Sequence, residues 1–386
     1  MSRIRVVATG IPFRNPLPGH RAVSAHLPFI QPLSEQELIC VYRRSSAFYS
    51  PDGVLAKTRS RDGGKTWHEE GLVRDTRPED RPCSYSAPFL SKLRDDSLAL
   101  VAFRVDVSNP DRLMVNPDTG GFLPTETLLF RSMDKGRTWS APQVIALPEG
   151  IIAYLAGAAV ELNDGSWFLP FDNGKAYEDP NAVKAVMFGL FSRDQGRTWG
   201  ELIRFADGAE QQKAHWHGRV TRLLDGRLFA LLWTQDLSTG KFIDLHRTVS
   251  DVTGRQWSVP EPTGIPGQTS WVVDLGQGRV FAAYTVRDLP AARHAAQADV
   301  KPPGIRGILS EDGGRSWDKS SDIVLWDATD RETIGVAAKD TYPVSHDVIA
   351  FGRPQAARMP DGDVLASFWC TEACVTHIRF ARLRVE

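Results

Sequence analysis

The chain has 386 residues, of which 46 are Lys or Arg and 47 are Asp or Glu, so its formal net charge is −1. This balance, without a basic run, argues against a nucleic-acid partner. The longest apolar stretch, residues 151–160, is too short to cross a bilayer, and the first residues lack the apolar core of a signal peptide. We therefore expect no membrane partner and a cytoplasmic location, and make no prediction of oligomeric state.

In chain order, the predicted elements are pairs of short apolar strands joined by a turn, often Asp-Gly. Residues that favour strands and turns dominate these segments, so each pair is predicted to be a β-hairpin. The six pairs occupy residues 26–42, 86–103, 157–170, 218–233, 271–284 and 354–369.

An eight-residue pattern, Ser-x-Asp-x-Gly-x-Thr-Trp, follows each of the first five pairs. Its first residues lie 72, 60, 58 and 60 positions apart, so one folding unit is repeated. The Asp can accept hydrogen bonds from nearby backbone N–H groups, the Gly supplies the positive φ of a tight turn, and the Trp provides a ring for packing. Each copy is therefore interpreted as a turn between two antiparallel strands. The copies begin at Ser60, Ser132, Ser192, Ser250 (a degraded copy) and Ser310.

The sixth unit has a third strand at residues 375–383 and no pattern after it. We expect residues 3–8 to supply its fourth strand and close the ring, which leaves only short sheet edges exposed. The prediction is an all-β, six-bladed β-propeller with four antiparallel strands per blade, forming one domain over residues 1–386. The blades are expected to span about 20–80, 81–150, 151–210, 211–265, 266–345 and, together with 1–10, 346–386.

Polar and aromatic residues are predicted to converge on the central hollow. In each blade the innermost strand starts on the face where the second strand ends, so residues at both places point to one axis. Long insertions at 108–125, 177–182, 290–304 and 327–345 are expected to shape this binding site. The converging residues are His26, Arg43, Arg44, Ser84, Tyr85, Arg104, Asp106, Tyr154, Asp172, Asn173, His215, His217, Gln235, Asp236, Trp271, Arg287, Asp288, Arg353 and Glu372.

The recurring pattern is the Asp-box, and the chain resembles the sialidase superfamily over nearly its whole length. In that family three Arg side chains bind the substrate carboxylate. The family's Arg-Ile-Pro motif corresponds to His-Leu-Pro here, so His26 replaces the first Arg. Asp236 stands near the place of the second, and Arg287 matches the third.

The resemblance also carries the family's catalytic positions onto this chain, and most of them are substituted. The Glu that polarises the nucleophile falls near His217, and the nucleophilic Tyr falls near Arg353. The acid Asp corresponds to Asp52, displaced by a few residues within a Pro-Asp-Gly turn. The site is therefore interpreted as rebuilt around other polar groups.

A carbohydrate-active enzyme is the favoured hypothesis, specifically an exo-acting glycoside hydrolase on a glycan terminus or acidic oligosaccharide. Hydrolysis needs a proton donor and a carboxylate or base on either side of the bond, and His can replace one carboxylate. The predicted catalytic residues are His217, His26, Asp236, Asp52 and Tyr154. The predicted substrate-binding residues are Arg44, Arg287, Arg353, Asp172, Trp271 and Glu372.

A lyase acting on a uronate is the first alternative. Elimination needs a cation or neutral donor against the substrate carboxylate, together with a base and an acid. Arg287, Arg353 or Arg44 would neutralise the carboxylate, and His217, His26 or Tyr154 would act as base and acid. The second alternative is a non-catalytic glycan-binding propeller in which Trp216 and Trp271 stack on sugar rings.

No metal or other cofactor is predicted. His215 and His217 would lie on one side of a strand, with Asp236 or His246 as a third ligand, but such short His pairs are common by chance. No Gly-rich loop of a nucleotide-binding motif occurs between a strand and a helix. Cys40 and Cys370 lie in apolar strand patterns and are expected to be buried free thiols.

Overall fold

The computed structural model describes residues 3–76, 80–155, 157–182, 184–287, 303–328 and 350–386. Its strands form six antiparallel sheets arranged as a six-bladed β-propeller, which confirms the predicted fold class. Within those ranges the helical structure is a single 3-10 turn at Ala209–Gln211, and no helix there is long and apolar enough to span a membrane. The predicted insertions at 290–304 and 327–345 lie almost entirely outside the described residues.

The strands of each blade follow one another from the channel axis outward. The N-terminal strand β1, Ile4–Phe13, is the exception and belongs to the last blade. Blade one contains β2 Ser24–Pro32, β3 Leu38–Ser45, β4 Val54–Ser60 and β5 His68–Leu72, and blade two contains β6 Cys83–Lys92, β7 Leu98–Asp106, β8 Thr125–Ser132 and β9 Gln143–Val144. Blade three contains β10 Ala153–Leu155, β11 Val160–Glu161, β12 Trp167–Asn173, β13 Met187–Ser192 and β14 Leu202–Ala206. Blade four contains β15 Lys213–Arg222, β16 Leu228–Asp236, β17 His246–Val249 and β18 Glu261–Pro262. Blade five contains β19 Ser270–Gly276, β20 Arg279–Val286, β21 Gly304–Ser310 and β22 Asp318–Asp327, and blade six contains β23 Phe351–Arg358, β24 Val364–Glu372 and β25 Val375–Val385.

The N-terminal strand closes the ring, as predicted. Strand β1 pairs antiparallel with β25, with Ile4 opposite Val385, so both ends of the chain lie in blade six. In blade three, β10 and β11 both pair with β12, so the innermost strand of that blade is interrupted. The pairing of β1 with β25 satisfies the backbone hydrogen bonds of the terminal strand. Because the chain continues from β1 into β2, this pairing also ties blade six to blade one.

The Asp-boxes are turns closed by their own side chains. In the second copy, Asp134 accepts hydrogen bonds from the Thr138 backbone N–H at 2.9 Å and from the Thr138 hydroxyl at 2.6 Å. Ser132 donates to the same carboxylate at 2.8 Å and accepts the Gly136 N–H at 2.7 Å. Gly136 has a φ of +79°, and a Cβ there would lie 2.4 Å from Ile39 of blade one. The turn therefore needs Gly both for its backbone and for its contact with the neighbouring blade.

Four innermost strands share a β-bulge near the face on which they begin. The strand register shifts in β2, β6, β15 and β23, and one residue of each bulge has a positive φ. An extra residue in one strand breaks the alternation of side chains between the two faces of the sheet. Across the bulge, therefore, residues two positions apart do not point to the same face of the sheet. The positive-φ residues are Leu27, Ala87, His217 and Arg353, and Pro or Gly follows each of them.

Candidate functional site

The candidate site lies at the end of the central channel where the innermost strands begin. Aromatic rings from three of these strands meet in the channel. The ring centroids of Phe29 and Phe89 are 6.5 Å apart, and those of Phe29 and Trp271 are 5.1 Å apart. We call these three residues the aromatic layer. We interpret it as the floor of the hollow.

A pair of ionisable side chains, the buried Asp172 and the partly buried His217, lies in this hollow. Asp172 is near the end of β12 and only 1% exposed, and His217 is the positive-φ residue of the bulge in β15. Asp172 Oδ2 lies 3.0 Å from His217 Nδ1 and accepts the His217 backbone N–H at 3.1 Å. The ring nitrogen and this oxygen are close but are not aligned as a hydrogen bond, so the two residues are linked by this close contact and by the backbone hydrogen bond. The bulge lets the backbone and the ring of one residue reach the same carboxylate oxygen.

The second oxygen of Asp172 distinguishes this carboxylate from the other acidic candidates. Among the described residues, Asp172 Oδ1 is buried and has no hydrogen-bond partner. A buried polar atom without a partner is uncommon, and it often marks a place where a ligand or water binds. His217 also stacks on Trp233, with ring centroids 5.8 Å apart and planes 27° apart, which fixes the plane of the imidazole.

Two predicted catalytic carboxylates, Asp52 and Asp236, are engaged in local contacts. Asp52 accepts hydrogen bonds from the Ser46 backbone N–H at 3.1 Å and from the hydroxyls of Ser46 and Ser50. Burial alone would raise the pKa of Asp52, but these hydrogen bonds outweigh it and hold the pKa below its ordinary value. Asp236 lies 2.8 Å from Lys213 Nζ, and this contact is the main reason that the pKa of Asp236 is well below its ordinary value. Both groups are ionised and already compensated.

Glu372 is the centre of a polar cluster at the end of β24. Its Oε1 accepts a hydrogen bond from Trp326 Nε1 at 2.9 Å, and its Oε2 accepts one from Arg379 Nη2 at 2.6 Å and lies 3.0 Å from His377 Nε2. The Cys370 thiol lies 3.8 Å from the same His nitrogen, so the three potential ligand atoms are close enough together to hold a metal ion. Because both Glu372 oxygens already accept hydrogen bonds and Arg379 adds a positive charge, we interpret the group as an ion-pair cluster.

The two His residues considered as a metal pair do not point to one place. His215 Nδ1 lies 3.1 Å from Thr234 Oγ1, and its ring centroid is 5.7 Å from that of His246. His217 instead contacts Asp172, because the bulge in β15 interrupts the alternation on which the expectation was based. Burial and, second, the charge of His246 lower the pKa of His215 to about 4, so its imidazole is neutral near pH 7.

His26 forms part of the aromatic wall of the hollow. It is 3% exposed, and the rings of Phe48 and Trp369 pack edge-on against it at centroid distances of 5.2 and 5.0 Å. Burial and, second, the charge of Arg43 lower the pKa of His26 to about 3, so the ring is neutral near pH 7. Its Nδ1 has no hydrogen-bond partner in the described part of the chain.

Arg353 holds three blades together at the floor of the hollow. It is 8% exposed, and its Nη2 donates to the backbone oxygens of Leu27 at 2.8 Å and Pro88 at 2.9 Å. Its guanidinium carbon lies 4.4 Å from the ring centroid of Phe89. A residue of blade six thus contacts the innermost strands of blades one and two, which is a structural role.

The other predicted substrate-binding Arg residues also have partners. Arg44 forms an ion pair with Glu69 of the outermost strand in its own blade. Arg287 donates to Gln268 Oε1 at 2.8 Å and to the Phe351 backbone oxygen at 2.6 Å. Each guanidinium is therefore held in place by protein atoms.

The remaining predicted residues have different positions. The backbone of Tyr154 pairs with that of Asp172, while the side chain of Tyr154 lies outside the described part of the chain. Trp271 is 8% exposed and belongs to the aromatic layer, away from the mouth of the hollow. Trp216 is partly buried against the core of blades four and five.

The aromatic residues that support the two His side chains were not predicted from the sequence. Trp233 lies against His217, and Trp369 and Phe48 pack against His26. Trp233 and Trp369 each lie near the end of the second strand of their blade, and this position could have been recognised from the sequence. The register places Trp233 opposite Trp216 and Trp369 opposite Gly352, in each case beside a bulge.

The fold and the family are supported by comparison with known proteins. A family model described as a BNR repeat-like domain matches residues 91–343, and one described as a BNR/Asp-box repeat matches residues 58–69. No curated protein shows a significant match. A protein of unknown function from Dyadobacter fermentans DSM 18053 superposes with a TM-score of 0.72 at 20% identity, covering 99% of both chains.

Two solved glycosidases share the architecture. The Hadza microbial sialidase Hz136 has a TM-score of 0.63 at 16% identity, covering 96% of this chain and 67% of its own. An α-L-arabinanase from Penicillium chrysogenum, solved in complex with arabinobiose, has a TM-score of 0.62 at 13% identity over 98% of both chains. Identities this low establish a shared fold only. Because the first family model covers more than half of the sequence, the chain belongs to the BNR repeat-like domain family, with a sialidase-like propeller fold.

Proposed function

We propose that the protein is an exo-acting glycoside hydrolase in which Asp172 and His217 carry out acid–base chemistry. The observation that supports this most is the contact of the buried Asp172 with the partly buried His217 in the hollow, with Asp172 Oδ1 left without a hydrogen-bond partner among the described residues. Closely placed ionisable groups in a concave site are typical of active sites. The sialidase and arabinanase neighbours share the fold and give a glycan substrate additional weight.

In this proposal His217 donates a proton to the glycosidic oxygen as the bond to the terminal sugar breaks. Asp172 orients the imidazole and stabilises its protonated form, as a carboxylate beside a catalytic His does in other enzymes. A water molecule adds to the sugar carbon to complete hydrolysis, and a group on the other side of the sugar accepts the proton of that water. Tyr154 remains the candidate for that role, because its backbone pairs with that of Asp172.

We further infer that the terminal sugar has no carboxylate. Binding of a carboxylate by Arg typically uses two parallel N–H donors that face the ligand. Arg353 and Arg287 instead donate to backbone and amide oxygens, and Arg44 is paired with Glu69. The same contacts count against the uronate lyase, which would need one of these cations to neutralise its substrate.

The test is incubation of the purified protein with matched neutral and acidic oligosaccharides, followed by mass spectrometry and ultraviolet absorbance. We expect a neutral glycan to yield a product that has gained one water, and His217→Ala to abolish it. The matched control is His68→Ala, because His68 is exposed on the outermost strand of blade one. An unsaturated, absorbing product would instead identify a lyase, and binding without any product would identify a glycan-binding protein.

A further inference from the structure

The opposite end of the central channel contains a second cavity that has no role in the proposed hydrolysis. Its volume is about 460 Å³, and residues from all six blades line it. Small-molecule sites usually have volumes of about 300–1,000 Å³. Phe29 and Trp271 of the aromatic layer contribute to its lining, together with the small side chains of Ala158, Ala159 and Ala356. We call this space the lower cavity.

Hydrogen bonds between neighbouring blades hold the wall of the lower cavity. Ser91 of blade two donates to the backbone oxygen of Ala159 in blade three at 2.6 Å. Thr221 of blade four donates to the backbone oxygen of Val272 in blade five, also at 2.6 Å. A cavity built from strands that are linked in this way is formed before any ligand arrives, which lowers the cost of binding.

The charged side chains of the lining are predominantly basic. Four carry a positive charge and two carry a negative charge. They are Lys92, Arg94, Arg222, Arg358, Glu161 and Asp274.

Both acidic groups of the lining are engaged by backbone N–H groups. Asp274 Oδ2 accepts the Leu224 N–H at 2.7 Å, and Glu161 Oε2 accepts the Arg94 N–H at 3.0 Å. The side chain of Arg358 is exposed and forms neither a hydrogen bond nor an ion pair with the described residues. Lys92 is paired with Asp96 at 2.8 Å and Arg94 lies 4.0 Å from Glu161, so the positive charge left uncompensated in the cavity is that of Arg222 and Arg358.

Arg222 is the basic residue whose surroundings show this excess most clearly. Burial and, second, the charge of Arg94 lower its pKa, with Glu161 acting in the opposite direction. Its Nη2 donates to Asn163 Oδ1, while its Nε is buried and has no partner among the described residues. A nearby anion would stabilise this guanidinium.

Gln355 provides a second donor without a partner. It is 2% exposed, and its Oε1 accepts hydrogen bonds from the Ile30 N–H at 3.1 Å and the Ser367 hydroxyl at 2.9 Å. These contacts fix the orientation of the amide, so Nε2 is the donor left without a described partner. Gln355 and Arg222 both line the lower cavity, and each has a donor that an oxygen-rich ligand would satisfy.

We propose that the lower cavity binds a small acidic sugar, meaning a hydroxylated ring with one carboxylate. Arg358 and Arg222 bind the carboxylate, as Arg does where planar anions are recognised. Gln355 and the two engaged carboxylates of the rim bind hydroxyl groups, and the ring packs toward Trp271 and the Ala side chains. This site is separate from the Asp172–His217 pair, so ligand binding here does not depend on hydrolysis.

Calorimetric titration of the full chain with galacturonate tests the proposal, with galactose as the neutral match and inorganic phosphate as the anion without a ring. We expect saturable binding of galacturonate, and affinities for galactose and phosphate that are at least about tenfold weaker. Arg358→Ala should weaken galacturonate binding at least about tenfold, because it removes a charged partner of the carboxylate. The matched control is Arg315→Ala, since Arg315 is exposed in the fifth Asp-box, and it should not change the affinity.

Two further variants identify the location of the bound sugar. Asp172→Asn alters the hollow and should leave galacturonate affinity unchanged, whatever its effect on hydrolysis. Ala357→Phe fills part of the lower cavity and should abolish galacturonate binding independently of Arg358. Absence of saturable galacturonate binding, equal affinity for galactose or phosphate, or binding that persists in both cavity variants would overturn the proposal.

Discussion

Replacing Arg353 by Ala should destabilise the propeller strongly. The substitution leaves the backbone oxygens of Leu27 and Pro88 without their charged donor and removes the contact with Phe89. An unsatisfied buried polar group costs about 1–3 kcal/mol, and a desolvated cation–π contact contributes about 2 kcal/mol. We therefore expect the free energy of unfolding to fall by about 3–5 kcal/mol, including partial relief from no longer burying a charge.

Two further variants separate the contributions. Arg353→Met retains apolar contact with Phe89 and lacks donors, so its loss should be about 2–3 kcal/mol. Arg358→Ala, in the same strand, removes an exposed side chain and should change stability by less than about 0.5 kcal/mol. Urea unfolding followed by tryptophan fluorescence and circular dichroism gives these values if the two transitions coincide. A loss of less than about 1 kcal/mol in Arg353→Ala would refute the structural role given to this residue.

Three other predictions concern protonation, the Asp-box and the thiols. Stability should decline as the pH falls from 6.5 towards 3, because unfolded His26 gains a proton that the folded state excludes. The slope from this residue is about 1.4 kcal/mol per pH unit, and an unchanged slope in urea titrations of His26→Phe would contradict it. Asp134→Ala should lower the free energy of unfolding in urea by about 2 kcal/mol, and Thr138→Val by about 1 kcal/mol. Equal losses would argue against the hydrogen bonds that Thr138 donates to Asp134. A thiol reagent should label exposed Cys374 before Cys40, whose pKa is raised by burial, and peptide mapping that finds the reverse order would refute this.

The fold was predictable because its signals are local and repeated. Each Asp-box carries its own hydrogen-bond donors and acceptors within a few residues, as Asp134 and Thr138 illustrate. The spacing of the boxes gives the repeat, and the missing strand of the last unit leads directly to the pairing of Ile4 with Val385. These inferences rest on local patterns and on their spacing, and they need no knowledge of side-chain contacts between blades.

The site was less predictable because its contacts join residues that are far apart in sequence. Arg353 was expected to face the substrate, but the oxygens of Leu27 and Pro88, supplied by two other blades, hold it in the floor. The pairing of Asp172 with His217 depends on a bulge that redirects one residue of β15. A Pro or Gly after each bulge was visible in the sequence, but its effect on side-chain direction requires the strand register.

The most direct test of the central proposal is the turnover of a neutral oligosaccharide by Asp172→Asn compared with the unaltered protein. Asp172 positions the catalytic His217, and losing the acid–base contribution of such a His typically reduces the rate by about 10²–10⁴-fold. Because Asn fits the same space, we expect kcat to fall by that factor while KM and the unfolding midpoint change little. The account would be contradicted by an Asp172→Asn protein that retains kcat within about tenfold of the unaltered chain.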